Sequence, residues 1–492
     1  LPAAVVGLLA FALYAVTAAR TITVRYGGAD GGELVATAIS GGVAHPSGSP
    51  TYLLLARVAL LIPWGEPAGR LAQLSALCGA LAIGCTTLLV MHRRVAMSPD
   101  VTDRSGLIAG VYAGLTAMLC ARVWSQAIIV EVYALHLFWL VLCTLLLSAW
   151  IATGRFGLLI LTAYGLGLGL GTHLTLGALI PAGIVAWMVA PQRHNVTLRQ
   201  VLLIVGALVA GLAVYGLLPI WAAREAVPSW GDTRSVDGFW RHVSGTEYRA
   251  LVGVVPWSQR LARLSYAARD LLVQPGPIAL GLSIGWGLPH AWRSDRPLLV
   301  LSGGVAAISL LFAIGYGGAD STVYLLPWTW AWCVWAGMGA ESVWSYMTLR
   351  MPRLAPLFGA LLALGLLWPL ATQYRAMDLH ADIGERERVI AHVMSLPPDA
   401  ILFTAADADT FGVWYVQRAL AVRRDVVVID TRLAHQSWYR AQLARLLQVA
   451  DGVSLCQALQ TSTRPRYRID VEDRLVDLPV GVPIAESWCA SG

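Results

Sequence analysis

Apolar runs of about twenty residues recur along most of this 492-residue chain, and each is long enough to cross a bilayer as a helix. Burying every run in one water-soluble core fails, because there are too many and each needs its neighbours' surfaces. Composition agrees: 57% of residues are hydrophobic and only 13% are charged, with a mean hydropathy of +0.63. A soluble chain of this size carries more charge. The chain therefore reads as a polytopic α-helical membrane protein.

Roughly eleven spans are predicted by length and apolarity. They lie near residues 3–19, 70–90, 105–121, 128–151, 156–171, 174–190, 200–221, 272–289, 297–315, 323–345 and 354–372. Arginine-bearing links such as "MHRRVAMSPDVTDR", "TGRF", "PQRHNVTLR", "HAWRSDRP" and "TLRMPR" fall on one side, which the positive-inside rule makes cytoplasmic. The N-terminus then faces the cytoplasm, and the first span reads as a retained helix. The loops at 20–69 and 222–271 and everything after about 373 face outward. The net charge of +6 comes from arginine alone, since lysine is absent; this bias points to a GC-rich genome and a bacterial inner membrane. No basic block suits nucleic acid. No P-loop, nucleophile elbow, HExxH or cysteine ligand spacing occurs, so neither metal nor cofactor is expected.

Two domains follow: a membrane domain over 1–372 and an outward α/β domain over 373–492. In the latter, Ile401–Thr404 and Val426–Asp430 read as short strands flanking an amphipathic helix from about Thr410 to Ala421, a βαβ pattern. Cys456 and Cys489 lie in this outward domain, where an oxidising compartment makes them a disulfide candidate.

Four stretches carry candidate chemistry. In "GGADGGELVATAISGGVAHPSGSP", 27–50, a helix is expected over Glu33–Ser40, with Asp30 ahead of it and Glu33 in its first turn. Both acids suit a helix N-terminus as caps, yet capping does not explain their clustering with His45 beside a bilayer that penalises ionisable groups. In "ARVWSQAIIVEVYALH", 121–136, Arg122, Trp124 and Gln126 are placed at the outer interface. Glu131 is placed just inside the next span, where a carboxylate needs a partner or a wet cavity, and Tyr133 and His136 follow. In "GLGLGLGTHLTLG", 165–177, glycines on one stripe allow close helix packing and His173 reaches the outer surface. In "VPSWGDTRSVDGFWRHVSGTEYR", 227–249, Trp230 and Tyr248 suit sugar faces, and Asp232 and His242 suit hydroxyls; interfacial anchoring explains the aromatics equally well.

Taken in order with "YLLP" at 324–327 and the run "AILFTAADADTFGVWYVQ", these motifs resemble the protein O-mannosyltransferase-like family of membrane glycosyltransferases, of the GT-C superfamily. The resemblance covers nearly the whole chain. It implies a lipid-phosphate-linked sugar donor and an acidic catalytic residue in the first outer loop, which Asp30 and Glu33 match. Donor-phosphate contacts are then expected from His45, Arg122, His173 and Arg224. Acceptor or sugar contacts are expected from Trp124, Gln126, Glu131, Tyr133, Trp230, Asp232, His242, Tyr248 and Tyr324. The chain departs from the family at His136, where asparagine is usual, and at Thr172 before His173. The expected reaction is inverting transfer of a sugar, mannose first, from a polyprenyl-phosphate donor to a Ser or Thr hydroxyl of a secreted or membrane protein. A lipid or polysaccharide acceptor is the alternative, and a secondary transporter is the alternative from another class.

Overall fold

In the computed structural model, residues 1–97, 103–450 and 453–478 are described. Each predicted span coincides with a helix or a pair of helices. They run from Pro2–Thr17, through Pro67–Met97 and Tyr133–Thr153, to Arg296–Gly315, Leu326–Arg350 and Ala355–Met377. Among the described residues, five are individually long and apolar enough to cross a membrane, or six if the segments Gly106–Leu119 and Ala121–Ala127, bent by 66°, count as one span. The others fall short for separate reasons. Pro2–Thr17 and Phe156–Leu170 are 16 and 15 residues long, and the 277–294 segment is interrupted by a π-helical turn at Ser283–Gly287. The chain is a multi-pass helical membrane protein.

Polar groups buried among the helices find partners locally, as a lipid environment demands. Trp124 Nε1 donates to Thr17 Oγ1 and Trp330 Nε1 to Thr86 Oγ1, both at 2.9 Å; the Tyr14 hydroxyl donates to the Met118 carbonyl at 2.9 Å. The glycine stripe performs its expected role. A Cβ on Gly167 would overlap the Leu208 carbonyl, and one on Gly211 that of Tyr164, so the 156–170 and 198–212 helices meet backbone to backbone.

The C-terminal domain holds a four-stranded sheet of β1 (Ile401–Thr404), β2 (Val427–Asp430), β3 (Arg466–Ile469) and β4 (Leu475–Leu478), in the order β2-β1-β3-β4. β1 is parallel to both its neighbours, with Ile401 opposite Val427 and Arg466, while β3 and β4 run antiparallel. The βαβ unit matches expectation, with its helix at Asp407–Ala419. The β3–β4 hairpin was not legible, because "RYRI" and "LVDL" are short and charged. Of the expected disulfide pair, Cys489 lies outside the described residues.

This domain docks on the loop that follows the first helix. Tyr415 donates to Glu66 Oε2 at 2.8 Å, Arg386 pairs with Glu66 at 3.2 Å and Thr23 donates to Asp382 Oδ2 at 2.8 Å. From the second long loop, the Ser229 carbonyl accepts from Gln442 Nε2 at 2.9 Å. The closest approach is at Gly32, where any Cβ would overlap the Phe411 carbonyl. The Gly31–Ser40 helix therefore lies directly against Asp407–Ala419.

Candidate active site

The loop helix spans Gly31–Ser40, and Gly41 ends it in the left-handed region at φ 81°, a conformation glycine adopts without strain. The chain can then double back, bringing His45 alongside the helix's first turn. Asp30 occupies the N-cap position, but its side chain makes no capping hydrogen bond. Glu33 instead receives His45 twice: the backbone N–H donates to Oε1 at 3.1 Å, and ring Nδ1 lies 3.0 Å from Oε2. The Thr37 hydroxyl also donates to Oε1, at 3.3 Å. The other ring nitrogen, Nε2, faces Asp30 Oδ2 at 3.9 Å. The result is a Glu33–His45–Asp30 relay.

The two acids differ in access. The Glu33 side chain is 0% exposed and that of Asp30 39%, so Asp30 is the one a solute can reach. Burial pushes the Asp30 carboxyl up to about 6; His45 opposes this, while Glu33, Asp407 and Asp320 add to it. Burial disfavours the His45 imidazolium, but Glu33 and Asp30 outweigh it and raise His45 to about 10. An imidazolium thus stands between a buried carboxylate and an exposed acid poised near neutrality, where a general base works best.

Several expected residues border this relay. Trp230 is 7% exposed and stands edge-on to His45 at 6.0 Å and against Trp438 at 5.5 Å, forming a wall. Tyr248 is half-buried, and after burial itself the charges of Asp30, Glu247 and Glu33 raise its phenol. Glu131 lies in the turn before the Tyr133–Thr153 helix rather than within it, 3% exposed, with Oε1 lacking a hydrogen-bond partner. His173 begins the next turn; burial and then the His45 charge lower it to about 4, leaving it neutral. Its ring lies 5.5 Å from Tyr133 and 5.6 Å from Tyr324.

Six expectations are corrected. Arg122 is not free for a phosphate: its guanidinium is 8% exposed and pairs with Asp270 at 2.8 Å and Thr329 at 2.9 Å. Trp124 is 0% exposed and tied to Thr17, so no sugar reaches it. Gln126 is buried and donates to the Tyr26 carbonyl at 3.0 Å. Arg224 lies against Gly41, at the opposite end of the helix from Asp30, roughly 15 Å along its axis. His242 is buried with Nε2 3.0 Å from the Ala44 carbonyl, supporting the backbone next to His45 rather than meeting a substrate. Asp232 is also displaced, pairing with Arg234 at 3.5 Å in a separate groove beside Trp438.

Sequence reading missed Asp320 and Phe411. Asp320 accepts from both Tyr324 (3.2 Å) and Tyr133 (3.4 Å); an acid in the short "GGADSTVY" turn was its only signal. Phe411 meets Gly32 through backbone, which leaves no mark in a sequence. Among the described residues, no three His, Cys, Asp or Glu side chains converge to hold a metal ion.

The helical layer, with a polar loop carrying an acid and a small α/β domain over it, defines a multi-pass helical membrane fold. The fold is similar to that of ArnT from Cupriavidus metallidurans. Its structure bound to undecaprenyl phosphate aligns at a TM-score of 0.54 and 14% identity, covering 94% of this chain and 91% of that one; its apo structure aligns equally, covering 90% of that chain. Residues 30–198 match the family described as protein O-mannosyl-transferase TMEM260 N-terminal domain, and residues 386–475 match TMEM260-associated domain 2. Mouse (Mus musculus) protein O-mannosyl-transferase TMEM260 is 25% identical over 462 residues, covering 89% of this chain but only 64% of that protein's length. Over those two segments the chain is similar to the protein O-mannosyltransferase-like family.

Proposed function

We propose that this protein is an inverting glycosyltransferase that moves a sugar, mannose first, from a polyprenyl-phosphate donor to a Ser or Thr hydroxyl of a protein on the outer face of a bacterial inner membrane. The relay carries this reading, because it leaves one acid, Asp30, partly accessible with its carboxyl raised to about 6. The mouse relative's name and the lipid phosphate bound to the ArnT structure support the sugar and the donor class.

In the reaction Asp30 takes the proton from the acceptor hydroxyl as its oxygen attacks the anomeric carbon. The bond from that carbon to the phosphate oxygen breaks, and the lipid phosphate leaves with the electron pair. The transition state is oxocarbenium-like, as in glycoside hydrolysis. Attack opposite the leaving group inverts the anomeric centre. Glu33 does not touch the substrate; it fixes the His45 ring and holds its positive charge. His45 favours the ionised form of Asp30 and offers a positive charge to the departing phosphate. Such positioned proton transfer contributes about 10²–10⁴-fold.

The test is transfer of labelled mannose from polyprenyl-phosphate mannose into protein, in membranes holding wild type or Asp30→Asn at equal abundance. Label incorporated by wild type and reduced about 10²–10⁴-fold in the variant is expected. Equal transfer by both would remove Asp30 from the chemistry. Transfer to lipid or glycan but not to protein would reassign the acceptor.

A further inference from the structure

Asp320 lies in the turn between the Arg296–Gly315 and Leu326–Arg350 helices and is exposed. Oδ2 accepts from the hydroxyls of Tyr324 and Tyr133, residues nearly two hundred positions apart in sequence. Among the described residues, none hydrogen-bonds to Oδ1. The tyrosines belong to a packed set: Tyr324 meets Tyr133 at 6.1 Å, Tyr316 at 5.3 Å and Phe312 at 4.9 Å, edge-on in each case. Two converging phenols on a rigid aromatic base fix a carboxylate far better than an ordinary surface turn requires. Gly31, next to Asp30, packs against Val130, three residues before Tyr133, and the Asp320 charge adds to the rise of the Asp30 carboxyl. Asp320 therefore stands beside the same site.

A third acid in a site for an anionic donor is costly unless it faces the donor's neutral part. Like charges repel, so a phosphate cannot lie against Asp320. A sugar's hydroxyls can, because an ionised carboxylate accepts up to four hydrogen bonds and donates none. The flanking tyrosine and histidine rings give the apolar face that a pyranose ring rests on. Resting on the glycosyltransferase reading above, we infer that Asp320, oriented by Tyr133 and Tyr324, is the specificity-determining residue that binds hydroxyls of the transferred sugar through its free Oδ1. The donor is thereby held with its hydroxyls toward Asp320 and its phosphate toward His45.

The test compares labelled polyprenyl-phosphate mannose with four analogues, in which the hydroxyl at C2, C3, C4 or C6 is replaced by hydrogen. Wild type should lose about 10- to 100-fold in kcat/KM with at least one analogue, the scale of a hydrogen bond to a charged group. Asp320→Asn should lose a comparable factor with mannose itself and show little further loss with that analogue. Tyr324→Phe keeps the carboxylate and removes one of its two donors, so the same analogue should still be discriminated, by a smaller factor. An Asp320→Asn enzyme that keeps the full wild-type preference among the five donors overturns the assignment while leaving the transfer reaction standing. Wild type that transfers no mannose from any of them overturns the reaction and the assignment together.

Discussion

Arg122 and Asp30 pose the same problem and solve it differently. Each is an ionisable group that the sequence places at the edge of an apolar layer. Arg122 is engaged: Asp270 and Thr329 both accept from its Nη1, Gln274 Oε1 accepts from its backbone N–H at 2.7 Å, and the Arg122 and Asp270 side chains are 8% and 9% exposed. Asp30 is left open, with no cap to make, one cation at 3.9 Å and 39% of its side chain exposed. A charge beside a bilayer is thus no indicator of chemistry by itself. What separates structure from function is whether the neighbours use up the group's bonding capacity.

The contrast can be broken most forcefully at Arg122. Arg122→Ala leaves Asp270 buried and uncompensated, which should destabilise the protein by about 3–5 kcal/mol, read as a lowered unfolding temperature in detergent. Removing Asp270 as well should recover much of that loss. An Arg122→Ala protein as stable as wild type but unable to transfer sugar would return Arg122 to the phosphate.

The pH profile sharpens the other side. Asp30 must be ionised to accept a proton, so transfer should be lost as pH falls through about 6. His45, raised to about 10, stays charged across that window. His45→Gln removes the positive charge that favours the Asp30 carboxylate, so the acid limb should move to higher pH. A limb that moves downward, or stays, would show that His45 does not set the ionisation of Asp30. The smallest effect is expected in the separate groove. Arg234 pairs with Glu225 and Asp232, all about half exposed, so Arg234→Ala should cost less than about 1 kcal/mol and leave transfer unchanged.

Much of the membrane layer was legible because hydropathy is a local property. The loop helix was also legible, from the acid in its first turn, whereas its closure at Gly41 came from the structure. Clustering of Asp30, Glu33 and His45 within sixteen positions gave the relay's members, though not its order. Partnership across long separations was hidden. Nothing near Arg122 in the sequence announces Asp270, 148 positions away, and nothing near Asp320 announces Tyr133. Trp124 reads as an interfacial aromatic until the Thr17 hydroxyl, 107 positions earlier, is seen to take its N–H. The distant pairings, and with them the corrections at Arg122, Trp124 and Gln126, required the folded chain.

The missing side chain at Gly32 has a consequence for timing. The helix that follows Asp30 precedes most of the membrane layer in the chain, yet its seat is the backbone at Phe411, in a domain that follows that layer. Until that domain has folded, the loop helix lacks this seat. A chain can therefore have every span in place and still lack one of the contacts that fix the acid at residue 30.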